Sequence, residues 1–465
     1  MSNQEQIVSF TPMYTPRVQI YAREARGWYA NWRWVCVWLT QIVFYGLPWL
    51  QWNGRQAILF DLAARKFYLL GLVLWPQDLI YLAVLLIICA FSLFLFTAVA
   101  GRVWCGFACP QTVYTEIFMW IERKIEGERS ARMRLDKQAW AAAKLAKKCA
   151  KHLAWGVFAL WTGFTFVGYF TPIEQLGLEI ATFAFGPWQL FWVLFYSFAT
   201  YGNAGWMREQ VCRYMCPYAR FQSAMFDADT LIVSYDKERG EPRGALSKSA
   251  AAQSASGTCI DCSLCVQVCP TGIDIRNGLQ YDCIGCAACI DACDSVMDKI
   301  GAPRGLVRFT TENAVMNKWR PAQIRQRMYR PRILIYSAIL LLAVGALIAG
   351  LANHTPLKMD VIRDRGVMAR VVEDGMVENV YRLQIMNADE QVHRYRIDVS
   401  GIDGIQLVTP GEVAFRATES RLVPVTVRIP AESGKPGTNR IYFVLSDQSD
   451  KSLRVREKSM FFVPR

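Results

Sequence analysis

Eight cysteines between Cys259 and Cys293 fall into two copies of one spacing. The first copy is Cys259-x-x-Cys262-x-x-Cys265-x-x-x-Cys269-Pro270, and the second is Cys283-x-x-Cys286-x-x-Cys289-x-x-x-Cys293. This spacing wraps two 4Fe–4S cubanes. Three thiolates two residues apart take three corners of one cubane, and the fourth cysteine, one residue farther on, points to the other. Cys259, Cys262, Cys265 and Cys293 are therefore expected to hold one cluster, and Cys283, Cys286, Cys289 and Cys269 the second. A pair of zinc sites or a disulfide framework is the competing account, and two runs in tandem weigh against it. Asp294 stands where the generic motif has proline, which removes a rigid turn and no ligand.

Two further cysteine pairs could do chemistry. Cys105-Gly-Phe-Ala-Cys109-Pro110 and Cys212-Arg-Tyr-Met-Cys216-Pro217 share a Cys-x-x-x-Cys-Pro pattern, each after an apolar segment and before an aromatic, Met-containing one (Gln111–Trp120 and Tyr218–Phe226). They read as an internal repeat. On one helix, an i,i+4 pair puts both sulfurs on one face. Four such thiolates, with Met119, Met207, Met215 and Met225 nearby, would select Cu(I), zinc or an iron–sulfur cluster over hard cations. The plain alternative is packing, since a cysteine in an apolar helix is usually a small hydrophobe; Cys36, Cys89 and Cys149 are read that way. The three histidines, His152, His354 and His393, are too scattered along the chain for a bis-histidine haem. No Gly-x-Gly-x-x-Gly follows a strand, so no nicotinamide or flavin site is expected.

The elements that must position these cysteines include membrane spans. The chain has 465 residues, 53% of them apolar and 20% charged, with mean hydropathy +0.15. Five segments are long enough, or nearly so, for the roughly 20 residues a bilayer needs: Trp34–Leu50, Leu79–Ala100, Leu153–Phe170, Trp188–Gly205 and Ile333–Ala352. The shorter run Tyr68–Trp75 reads as interfacial. The net charge of +13 lies beside the apolar segments, as positive-inside bias places it, so no nucleic-acid partner is expected. Lys and Arg crowd the N-terminal tail, the loop after the second span and the segment before the fifth. They predict a cytoplasmic N-terminus, cytoplasmic cysteine runs and an outer C-terminus, and iron–sulfur ligands need that reducing side. The first 27 residues lack an apolar stretch of the kind a signal peptide carries.

The predicted organisation is an α-helical membrane bundle with a cytoplasmic bacterial-ferredoxin-like α+β module and a C-terminal immunoglobulin-like β-sandwich. Residues 1–237 form a four-span domain carrying both Cys-x-x-x-Cys-Pro motifs, and the Gly-, Ser- and Ala-rich stretch 238–258 a flexible linker that tethers the ferredoxin module with some reach. Residues 259–305 form that module, 306–332 a basic connector and 333–352 the fifth span. In 357–465, short alternating runs (Tyr381–Ile385, Tyr395–Val399, Leu422–Ile429, Ile441–Leu445 and Ser459–Val463) give the β-sandwich on the periplasmic side. Lys137–Trp155 is a basic amphipathic stretch expected to lie on the anionic inner leaflet.

This order of parts resembles the FixG/CcoG/RdxA family of cytochrome oxidase accessory proteins. The resemblance covers nearly the whole chain. Trp104–Pro110, Val211–Pro217 and Cys283–Arg304, with its Cys-Asp-Ser-Val-Met-Asp-Lys run at Cys293–Lys299, carry it most specifically. It implies a bacterial inner-membrane protein that reduces Cu(II) to Cu(I) in support of cbb-type oxidase assembly, with copper chaperones or oxidase assembly proteins as partners and an unidentified electron donor. Cys105, Cys109, Cys212 and Cys216 are then the candidate copper or redox site. Two alternatives stand beside it: a quinol dehydrogenase subunit passing electrons through two 4Fe–4S clusters, and a non-enzymatic oxidase assembly factor.

Overall fold

The computed structural model describes residues 19–245, 257–363, 369–372, 375–450 and 453–464. It divides into two compact units. One comprises Met1–Phe44, Ala90–Phe166 and Gly186–Ile339, and the other Tyr45–Cys89, Val167–Phe185 and Leu340–Arg465.

Among the described residues, two helices are long and apolar enough to cross a bilayer: Pro76–Ala100 and Pro331–Ala352, with mean hydropathies of 2.9 and 2.5. Each opens on proline, whose missing N–H is no loss in a first turn. Their apolar side chains face outward, among them Leu79, Ile80, Leu341 and Leu342. The three other expected spans are helical but weaker. Trp28–Gly46 carries the buried Arg33, and Ala142–Val167 begins with four lysines. Pro187–Thr200 has only 14 residues before the backbone widens into π-helical turns over Tyr201–Met207.

The first unit carries all twelve motif cysteines. Its helices Pro110–Glu126, Arg129–Lys137 and Ala142–Val167 are joined by buried charge. Glu122 accepts from Arg132 (3.1 Å) and Arg208 (2.9 Å), and Lys151 and Lys148 meet Glu126 at 2.9 and 3.0 Å. These lysines turn toward protein carboxylates. Of the basic residues in Lys137–Trp155, Lys148 and Lys151 thus pair with protein carboxylates and Lys144 bonds main-chain carbonyls, while Trp140, Leu145 and Leu153 stay exposed.

The linker expected over 238–258 is described only at its two ends. Residues 246–256 of that stretch lie outside the described residues. Its described ends run side by side: Gly257 N–H donates to Pro242 O at 2.8 Å, Thr258 N–H to Arg239 O at 2.9 Å and Gly244 N–H to Cys259 O at 3.1 Å. Just before it, strand Ile232–Tyr235 pairs antiparallel with Val307–Thr310, which follows the cysteine runs. Main-chain hydrogen bonds on both sides thus fasten the cysteine module within its unit.

The second unit holds the C-terminal β-domain. One sheet runs Gln406–Leu407, Ser420–Pro430, Met376–Asn387, Leu357–Arg363, with Arg370–Val371 also pairing Met376–Asn387. The other runs Glu412–Phe415, His393–Ser400, Gly437–Asp447, Arg454–Val463, and every pairing is antiparallel. All five expected runs fall in strands. Alternate residues meet in one core: Tyr381, Leu383 and Ile385 against Val425, Val427, Ile429, Phe443 and Leu445. That period of two is what a sheet with one buried face requires. The run Tyr68–Trp75, expected at a membrane interface, is mostly a hairpin. Lys66–Leu69 pairs with Leu72–Leu74, because Leu70 turns left-handed (φ +54°) ahead of Gly71.

His393 makes the β-domain sensitive to pH. Its Nδ1 faces the buried Asp447 carboxylate and its Nε2 lies 3.0 Å from Asp389. Burial lowers its pKa, but the two carboxylates outweigh burial and hold it above the ordinary histidine value. A raised folded pKa gives stability that is full below about 6.5 and is lost as pH rises through the folded value. Hydrogen-exchange protection of His393–Ser400 and Gly437–Asp447 is therefore expected to fall from pH 6 to pH 8.5 in the wild type and to change little in His393→Gln. Equal pH dependence in the two proteins would refute the assignment.

Candidate iron–sulfur and thiolate site

The two cysteine runs share one backbone path. In the first, Asp261 and Ser263 both take φ +53°; in the second, Gly285 and Ala287 take +67° and +59°. The residues flanking the middle cysteine thus turn left-handed in both. Each such turn costs a non-glycine residue about 1–3 kcal/mol and curls the loop so that its thiols face inward. A helix follows each turn, Leu264–Gln267 and Ala288–Lys299, with the third cysteine as its second residue. The first helix ends before Pro270. The second runs on through Asp294, whose carboxylate accepts the Gly305 N–H at 2.9 Å. Aspartate there lengthens the helix where proline would have ended it.

Cys283, Cys286 and Cys289 all lie near Cys269, and Cys289 lies near Cys265 as well. Cys293 instead neighbours Cys265 and Cys259, and Cys265 neighbours Cys262 and Cys259. All are free thiols, and most sit among Val233, Ile273, Ile275, Ile290 and Met297. Two sets of four soft donors in an apolar shell fit two 4Fe–4S clusters. Burial pushes the Cys265 thiol up to about 11 and Cys283 and Cys293 to about 12. They would give up their protons on binding metal.

The Cys-x-x-x-Cys-Pro pairs do not share one helix, as i,i+4 spacing had suggested. Cys105 lies in the short helix Val103–Phe107, while Cys109 is the extended residue that caps Pro110–Glu126. Cys212 lies in π-helical turns at Val211–Met215, and Cys216 caps Pro217–Met225. The prolines are the reason: the residue before proline is driven out of the helical region, and proline then starts the next helix.

The repeat nevertheless makes the four thiols neighbours, although among the described residues no three of them stand close enough to hold one metal ion. Cys105 feels Cys109 and Cys212; Cys109 feels Cys216; Cys212 feels Cys109 and Cys216. Burial pushes Cys105 up to about 12 and Cys212 to about 11, with the neighbouring thiols adding to the rise. The Cys105 and Cys212 thiols are therefore neutral at pH 7 until a soft cation displaces their protons. The Cys105 thiol donates to Gln222 Oε1 at 3.3 Å, and Gln222 is fully buried. A small cavity lined by Arg33, Glu116, Met119, Cys212 and Cys286 joins this group to the second cysteine run. Met119 is the expected thioether found on that lining; Met215 is exposed.

The two cysteine systems touch through glycine. A Cβ on Gly106 would lie 2.7 Å from both Cα and N of Cys286, and one on Gly285 would lie 3.0 Å from the carbonyl carbon of Arg102. The first Cys-x-x-x-Cys loop therefore lies backbone to backbone against a cysteine of the second run. Gly106, Gly285 and Gln222 escaped the sequence reading, and Arg33 and Arg102 entered it only as markers of membrane orientation. A glycine inside each of the two contacting cysteine loops was the one signal of close approach.

Comparison with known proteins agrees with this layout. Residues 207–312 match a 4Fe–4S dicluster domain, 82–127 a 4Fe–4S binding domain, and 347–464 the immunoglobulin-like fold at the C-terminus of FixG. The chain is 37% identical to Protein RdxA of Cereibacter sphaeroides, covering 94% of this chain and 92% of that one. It is 35% identical to Nitrogen fixation protein FixG of Rhizobium meliloti, over 91% and 88% of the two chains. Protein RdxB of Cereibacter sphaeroides is 38% identical over 91% and 90%. Iron–sulfur binding domains and the FixG C-terminal domain on one chain make this an iron–sulfur electron-transfer protein.

Proposed function

Since the chain belongs to the FixG/RdxA family, we propose that it is a membrane-bound cupric reductase. Single electrons pass through the two cysteine runs to Cu(II) held at Cys105, Cys109, Cys212 and Cys216. The observation that carries this is the Gly106–Cys286 contact, which sets a soft-donor group directly against a cluster-binding loop. When bound, each cluster supplies one-electron storage at thiolate-ligated iron; Cys259, Cys262, Cys265 and Cys293 would hold one, and Cys283, Cys286, Cys289 and Cys269 the other. The remaining work belongs to the chain. Cysteine sulfurs favour Cu(I) over Cu(II) and so draw the reduction forward, and the left-handed turns fix the loops. The balance is one electron per copper, from a low-potential one-electron reductant to Cu(II). Product Cu(I) would leave to a copper chaperone or oxidase assembly protein. The apolar helices Pro76–Ala100 and Pro331–Ala352 support an inner-membrane location, and the weaker helices complete a five-span bundle with cytoplasmic cysteines and a periplasmic β-domain.

Anaerobic protein carrying about eight irons per chain, reduced with dithionite and freed of excess, is expected to be reoxidised by two equivalents of Cu(II). The Cu(I) formed is counted with a cuprous chelator. Reduced, fully loaded protein that leaves Cu(II) untouched would end the proposal, and reoxidation by a quinone in its place would establish the quinol reading. A count near four irons would end the two-cluster assignment.

A further inference from the structure

The charges around the two cysteine runs are unequal. Beside the second run, Arg33 is 9% exposed and lines one small cavity with Cys286, on whose thiol its charge acts. Arg102 is 8% exposed. Its guanidinium donates to the main-chain carbonyls of Tyr281 and Cys283 (3.4 Å) and to Ala219 O at 2.6 Å, and its charge bears on Cys283. Among the described residues, no carboxylate lies within ion-pair distance of either guanidinium. Glu116 acts on Cys286 as well, but it is matched by Arg123 at 3.5 Å.

Beside the first run the balance reverses. Arg276 acts on Cys265, yet it is held by two carboxylates, Asp274 at 2.7 Å and Asp261. Asp294 acts on Cys293. Carboxylates thus outnumber cations around the first run, whereas around the second the two arginines stand against the buried Asp291, whose carboxylate accepts Tyr29 N–H at 3.2 Å and Ala30 N–H at 2.7 Å.

Positive charge and hydrogen bonds to sulfur stabilise the reduced, more negative state of a cluster site and so raise its potential. We infer that Arg33 and Arg102 make the second-run site the higher-potential of the two, and hence the exit from which electrons reach the Cys105–Cys109 loop. One electron from a low-potential reductant enters at the first run, moves downhill to the second and leaves for Cu(II), with no proton or bond changed on the way. The Gly106–Cys286 contact places that exit against the thiolate group. The inference rests on the chain carrying two clusters.

A redox titration of the full-length, iron-loaded protein, followed by electron paramagnetic resonance, tests it. Two midpoints are expected in the wild type. Arg33→Gln and Arg102→Gln should each shift the upper one downward by about tenfold in the one-electron equilibrium, about 59 mV, and leave the lower in place. Arg276→Gln should move the lower one. Arg33→Lys, which keeps the charge, should restore most of the upper midpoint; a merely structural arginine would not be rescued this way. A single merged midpoint in the wild type overturns the inference whether or not the variants load iron. So does a glutamine variant that moves the lower midpoint or neither. Wild-type protein whose midpoints respond as expected but which fails to reduce Cu(II) would refute the proposed substrate and leave the electron route standing.

Discussion

Serine at both Cys212 and Cys216, or at both Cys105 and Cys109, is expected to cut Cu(II) reduction by at least about 10–100-fold while both clusters stay. Even outer-shell partners of a metal are worth that much, and these would be the direct soft donors. Serine keeps the size and loses the sulfur, so Cu(I) loses its preferred ligand. Stability should suffer little at Cys105, because the Gln222 carbonyl that now accepts from its thiol at 3.3 Å can accept from a hydroxyl. Elsewhere a buried hydroxyl without a partner costs about 1–3 kcal/mol. That cost would show in thermal unfolding but not in the cluster absorbance. Chelator colour and cluster spectrum are read on one preparation. Undiminished copper reduction in both double variants would move the site to the exposed edge of the cysteine module.

What the sequence disclosed depended on whether chemistry was written locally. The cysteine spacing disclosed the ligand runs, and the period of two at Tyr381–Ile385 and Ile441–Leu445 disclosed the β-domain strands, because both patterns repeat over a few residues. The π-helical turns at Tyr201–Met207 and Val211–Met215 left no such mark, since widening a helix needs no special residue type. Charge carried a second role that composition does not show. Arg102, Arg132, Lys144 and Lys151 were counted as markers of membrane orientation, yet all are buried, Arg132 and Lys151 in ion pairs and Arg102 and Lys144 bonded to main-chain carbonyls. Sequence shows that a residue is basic, and only the packing shows which partner has claimed it. The same holds for Arg33, whose placement against Cys286 joins positions far apart in the chain.

Replacing Gly106 by alanine is expected to cost the second-run site its cluster, so that iron falls to about half the wild-type content. The argument is steric. The new Cβ would meet Cys286 Cα and N at 2.7 Å and Gly285 C at 2.8 Å, and real side chains do not sit so close. The atoms it meets are main chain, so no flexible side chain can swing away. The Gly285–Cys286 turn must shift, and with it the ligand loop whose left-handed residues leave little room to adjust. Overpacking in a dense core costs about 1–3 kcal/mol; here the strain falls directly on a ligand loop. Gly156→Ala is the matched control. Its Cβ meets nothing within 4 Å, and in the helix Ala142–Val167 alanine should stabilise by up to about 1 kcal/mol. Iron and sulfide analysis of the two variants, purified side by side without oxygen, decides the matter. If Gly106→Ala keeps as much iron as Gly156→Ala and reduces Cu(II) as fast, the contact does not couple the two cysteine systems, and electrons must leave the second run by another face.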